Sequence, residues 1–142
     1  FSAIEYFGRG EKENYNDFNA HAPVGLYKST VAEEHEPYIR PQDNSNHSDV
    51  SYLKLMSDKG EEILIYSDKK FNFNVHNYTQ ETLRKAEHRE ELCDEKTTFV
   101  TLDGYTRGTG TGSCGPKTLP EYTIDTSKEL TFNFVIVPQK KG

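Results

Sequence analysis

The chain has 142 residues, enough for one ordinary domain with a true core. Seventeen basic residues stand against 23 acidic ones, a net charge of -6, and no basic cluster exceeds the pair Lys140-Lys141, so a nucleic acid is not an expected partner. No apolar run approaches the ~20 residues that cross a bilayer, so no membrane partner is expected, and Cys93 and Cys114 are too few for a disulfide scaffold and lack CxxC spacing, which favours a reducing cytoplasm.

The first residues, Phe1-Ser-Ala-Ile-Glu-Tyr-Phe7, read as an apolar strand rather than a leader, and the missing initiator Met suggests a piece of a longer polypeptide. Strand signals recur at Val24 to Val31, Val50 to Met56 and Ile63 to Tyr66, the last after a Lys59-Gly60 turn. Phe71, Phe73 and Val75 alternate with Asn72, Asn74 and His76, the period-2 mark of a half-buried antiparallel strand. One helix is expected over Gln80 to Leu92, with Thr79 as N-cap, Glu81 in the first turn and a thin stripe of Leu83, Ala86 and Leu92. Thr98 to Leu102 and the alternation of Leu130, Phe132, Phe134 and Ile136 bring the strands to about seven. The sum is an all-β, antiparallel β-sandwich with one short helix. Ala32 to Asp49 has no periodicity and contains two prolines, so it is expected to be functional or packed as an extended connection.

Several chemistries are weighed against plainer roles. Gly110 to Gly115 matches GxGxxG, but Pro116 and Pro120 prevent the helix that would hold a phosphate. Glu87, His88, Glu91 and Cys93 lie close on the helix without the i, i+4 spacing of ligands such as HExxH, so an exposed charged face is the simpler reading. Cys114 could meet any of five histidines in space, although a small packed side chain is the commoner role. Loop tyrosines such as Tyr15, Tyr38 and Tyr105 offer ring faces on which a sugar could stack.

Four segments in one order carry a resemblance. Tyr6-Phe-Gly-Arg-Gly-Glu-Lys-Glu-Asn-Tyr-Asn-Asp17 resembles the GxGPxENYxDR segment of glycoside hydrolase family 2 β-galactosidases. Residues 37 to 50, PYIRPQDNSNHSDV, resemble its PYxxPQExGNRxDV loop, and Tyr78 to Leu83 with His88 and Leu92 resemble its YTxxxL…H…L helix. Gly108 to Pro116 with Tyr122 is similar to its GxGxxSCGP…Y or SWGP…F pattern.

The resemblance implies that residues 1-142 are the C-terminal part of the last β-galactosidase domain, a supersandwich of galactose-mutarotase-like type and a region that some relatives carry as a separate small subunit. The function implied is hydrolysis of terminal β-D-galactosides with retention, by a catalytic barrel domain of the same or a partner chain. The barrel would hold the two glutamates and the magnesium, so no catalytic residue and no cofactor are expected in this fragment. Cys114, Ser113 and Tyr105 are the expected substrate-binding residues, Cys114 standing where many members place a Trp of the sugar-site wall. A homo-oligomer is expected for the whole enzyme. Departures from the pattern at Glu11, Phe18, Asp43, Ser45, His47, Ser51 and Tyr52 bear on substrate choice. They also leave open a non-catalytic carbohydrate-binding or subunit-interface module.

Overall fold

The computed structural model describes residues 1–110 and 115–140. Among these described residues six strands follow in order: β1 (Ala3–Arg9), β2 (Val24–Thr30), β3 (His47–Met56), β4 (Glu61–His76), β5 (Phe99–Asp103) and β6 (Val135–Lys140). One helix, α1 (Gln80–Lys85), and single 3-10 turns at Arg89–Glu91 and Pro120–Tyr122 interrupt them. All the pairings are antiparallel, in the order β2-β1-β3-β4, and the far side of β4 is shared by β6 along residues 61–66 and β5 along 72–76. The expected all-β class with one short helix is what forms, and the sheet is consistent with a sandwich architecture.

Alternation decides which face is the core. Ile4 and Tyr6 of β1 lie opposite Leu55 and Leu53 of β3, and Leu53 in turn lies opposite Ile65 of β4. With Val31, Val50, Phe71, Phe73 and Val75 they form one buried cluster. Burying each large apolar side chain there contributes about 1.5–3 kcal/mol before the entropy of ordering is counted. The other face carries Glu5 between Lys28, at 3.3 Å, and Lys54, at 3.4 Å. Pairs that solvent still reaches in this way add little.

Three elements differ from their expected bounds. The two strands expected at 63–66 and 71–76 are one 16-residue strand. Tyr52 pairs with Tyr66 and Val50 with Phe71, so the polar Ser67–Lys70 stretch bulges without ending the strand. The helix stops at Lys85, because Ala86 turns extended at ψ 130, and of the expected stripe only Leu83 and Ala86 are buried. Good helix formers between Glu87 and Glu91 have no apolar face to bury, so propensity does not carry them. The C-terminal ladder begins only at Val135, while Phe132 and Phe134 cross the core as irregular chain, 4.8 Å apart, with Phe134 edge-on to Phe71 at 5.4 Å.

Candidate functional site

Strand β4 is covered on both sides. All six residues from Phe71 to His76 are buried, although their alternation predicts one exposed face. The polar row is instead the anchor for two loops. Asn72 Nδ2 donates to Asn16 Oδ1 at 3.3 Å, Asn74 Nδ2 to Asp43 Oδ1 at 3.1 Å, and His76 Nε2 to the carbonyl of Asn44 at 3.0 Å. Buried amides and imidazoles without such partners would cost about 1–3 kcal/mol each.

The same logic joins the first two resembling segments. Asn14 is fully buried; its Oδ1 accepts from the Ser48 amide at 3.0 Å and the Ser48 hydroxyl at 2.5 Å, and its Nδ2 donates to the carbonyls of Arg9 and Lys12. Asn46 Nδ2 returns a bond to the Asn14 carbonyl at 2.7 Å. Glu13 accepts from the Ser45 amide at 2.9 Å and from the hydroxyls of Tyr15 and Tyr38. That contact with Glu13, and then burial, push the Tyr38 phenol up to about 12. Tyr15, expected as an exposed sugar platform, is half-buried, and burial followed by the Glu13 charge raises its phenol further.

The altered position His47 is also buried. Its Nε2 lies 2.6 Å from Glu34 Oε2, while Nδ1 donates to the Arg9 carbonyl at 3.2 Å and lies 3.0 Å from the Tyr6 hydroxyl. Both ring nitrogens therefore have partners, and the carboxylate of Glu34 takes the imidazole as its counterpart. Ser51 and Tyr52, in contrast, lie in mid-strand β3 rather than in the loop.

The glycine loop is held by the end of the first segment. Asp17 Oδ2 accepts from the Gly110 amide at 2.6 Å, and Oδ1 accepts from the amide and hydroxyl of Thr109 at 2.9 and 3.3 Å. Burial pushes the Asp17 carboxyl up, but these donors outweigh it and hold the group below its ordinary value. The glycines are needed for this contact. A Cβ on Gly108 would lie 2.7 Å from Asp17 Cγ, and Gly110 sits at φ +64 with a Cβ position 2.7 Å from the Thr118 amide nitrogen.

Beside the loop opens a cleft of about 530 Å³, walled by Asn16, Asn72, Tyr105, Thr106, Tyr122 and Asp125 among others. Of the three expected substrate-binding residues, Tyr105 is placed here: its ring is exposed, its hydroxyl donates to the Thr131 carbonyl at 3.1 Å, and it meets Phe132 edge-on at 6.0 Å. Ser113 and Cys114 lie outside the described residues. Asn16, Asn72 and Thr106 were missed by sequence reasoning; the asparagines at alternate positions of an otherwise apolar strand are the signal that could have found Asn72. The helix residues offered for a metal are not gathered: His88 Nδ1 lies 3.0 Å from Glu91, both exposed. Among the described residues no three His, Cys, Asp or Glu side chains are placed to hold a metal ion.

What the fold and the cleft define is an antiparallel all-β domain in which Asp17 holds Thr109 and Gly110, with a tyrosine-walled hollow nearby. The chain belongs to the β-galactosidase small chain family, whose model matches residues 1–136. It is 34% identical over 135 residues to a β-galactosidase of Actinobacillus pleuropneumoniae, 28% over 134 residues to one of Staphylococcus xylosus, and 30% over 139 residues to one of Priestia megaterium. These alignments cover 94%, 94% and 97% of this chain but 13% of each relative, so the chain spans about an eighth of the length of the curated relatives it matches.

Proposed function

We propose that the chain is a non-catalytic part of a β-galactosidase that hydrolyses terminal β-D-galactosides, and that its glycine loop, with Ser113, Cys114 and Tyr105, forms a wall of the sugar site. The observation that carries this reading is the Asp17 clamp: two segments of the family resemblance, far apart in sequence, meet where the loop is held. Holding Thr109 and Gly110 in place lowers the entropic cost of a contact made there with another domain. The acid and nucleophile, and the magnesium, belong to a barrel elsewhere in the enzyme. The exposed free thiol of Cys93 suits a reducing cytoplasm, and the whole enzyme is a homo-oligomer in this reading.

Assay of a chromogenic β-galactoside tests it directly. The chain alone gives no turnover, and Cys114→Trp in the complete enzyme shifts KM more than it shifts unfolding temperature. Turnover by the chain alone, or unchanged KM and kcat in the variant, overturns the reading.

A second reading, an interface module, is favoured by one feature. Leu26, Phe7, Tyr52, Tyr66 and Val135 are successive pairing partners across the outer face of the sheet, and Leu26, Phe7, Tyr66 and Val135 are exposed. If the remainder of the enzyme covers this row, Leu26→Glu with Val135→Glu weakens assembly in sedimentation velocity. Unchanged assembly removes the interface.

A further inference from the structure

We propose that the cleft beside the glycine loop binds a saccharide in its own right, taking an uncharged sugar unit by its hydroxyls and one carbon-rich face. The inference rests on the reading of the domain as part of a galactosidase for the class of sugar, and on the chemistry of the cleft for the binding itself. At about 530 Å³ the hollow is of ordinary ligand size. Its floor is the amide pair Asn16 and Asn72. Asn16 Nδ2 is anchored to the Thr106 carbonyl at 2.8 Å and Asn72 gives one N–H to Asn16, so the pair is oriented while Asn72 has a second N–H and an acceptor oxygen to offer.

Thr106, which lines the same cleft, has a buried hydroxyl with no partner among the described residues. A buried hydroxyl in that state is uncommon in a folded protein and is satisfied by a polar group brought to it. Tyr105 and Tyr122 supply aromatic rings, with Ile124 and Leu130 beside them. Neighbouring carboxylates and amides match the paired donors and acceptors of vicinal hydroxyls.

Charge selects against other ligands. Asp49 in the lining is paired with Arg9 at 2.5 Å and Asp125 with Lys128 at 3.5 Å, which leaves Glu121 and Glu129 against Lys70. The lining thus keeps a small net negative charge, which repels a polyanion. It mixes apolar and polar surface, which suits a ligand that has both a carbon-rich face and hydroxyls. Another hollow, of about 510 Å³, has on its rim three glutamates that already have partners: Glu13 with Ser45 and two tyrosines, Glu34 with His47 and Glu36 with Lys12. The cleft is therefore the better place for a neutral polyol.

The test is a two-dimensional NMR titration of the 142-residue chain with lactose, after cooperative unfolding has shown that each variant is folded. Saturable shifts confined to Asn16, Asn72, Thr106 and Tyr122 are expected. Asp125→Ala, an exposed wall position, weakens the apparent affinity at least fivefold, as does Asn72→Ala where it folds, whereas Lys117→Ala outside the cleft does not. Shifts that fail to saturate, or that survive Asp125→Ala unchanged, overturn the site. A chain that binds lactose here but contributes nothing to turnover in the complete enzyme keeps this inference and loses the enzyme reading; the reverse result does the opposite.

Discussion

Asp17 and Gly110, 93 positions apart, are joined by a 2.6 Å bond from the Gly110 amide to the Asp17 carboxylate. The second carboxylate oxygen accepts from Thr109, so one side chain holds both Thr109 and Gly110. Asp17→Asn keeps one acceptor but places an amide nitrogen where a second is needed. Bonds to charged groups contribute about 1.5–3 kcal/mol, so a loss of about that size is expected in urea unfolding, with faster hydrogen exchange at Thr109 and Gly110.

The same carboxyl sets an acid limit. Its folded value lies below the ordinary 3.8, so its contribution is complete above about pH 3.8 and is lost as pH falls through the lower folded value. Acid titration of stability in Asp17→Asn will therefore be flatter in that window than in the parent chain. Equal acid slopes would remove the assignment.

Gly108→Ala and Gly110→Ala both disturb the clamp, for different reasons. The first places a methyl against Asp17 and Tyr122, and the second forces φ +64 on an alanine and a contact with the Thr118 backbone. About 1–2 kcal/mol of left-handed strain is expected for Gly110→Ala beyond the clash, read as a lower unfolding temperature.

His47→Leu leaves Glu34 buried without its counterpart, since the two side chains are 1% and 7% exposed. Breaking a buried pair from one side costs about 3–5 kcal/mol, while removing both partners is far milder. The double variant Glu34→Gln with His47→Leu is expected to recover most of the stability lost by the single one in guanidinium unfolding. A double variant as unstable as the single one would show that packing, not charge, is at stake.

His76 gives a second pH dependence. Burial holds its imidazole below the ordinary 6.5, against the opposing influence of the Asn44 carbonyl and the charges of Asp43 and Glu34; its neighbour His35 is lowered by burial and by His76. Above about pH 6.5 both states are neutral and nothing is lost. As pH falls below that value the unfolded chain takes up a proton that the folded chain resists, so stability declines. Thermal unfolding between pH 7.5 and 5.5 should fall less steeply in His76→Asn than in the parent chain.

Much of the fold was legible because its signals are local. Phe71, Phe73 and Val75 announced a strand by their spacing, and Thr79 announced a helix start, its hydroxyl accepting from the Thr82 amide at 3.0 Å. Where the helix would end was not legible, since Glu87 to Glu91 are good formers with no apolar face to bury. Nor was it legible that Ser67–Lys70 continues a strand, which depends on β3 pairing either side of the bulge. Of the candidate site, Tyr105 was marked by exposure-prone composition and Asn72 by its place in the alternation of an apolar strand, whereas Asn16 and Thr106 carry no local mark of a cleft.

By itself, then, the sequence determined the strand periodicity, the antiparallel class, the helix cap and the family, because side-chain alternation and segment order are written along the chain. Only the tertiary structure decided that Asn72, Asn74 and His76 face a second buried layer, that Glu34 answers His47, and that Asp17 closes on Gly110. The physical reason is that a buried polar group takes whichever partner the packed backbone brings within about 3 Å, and that partner is set by strand register and loop path rather than by neighbours in sequence.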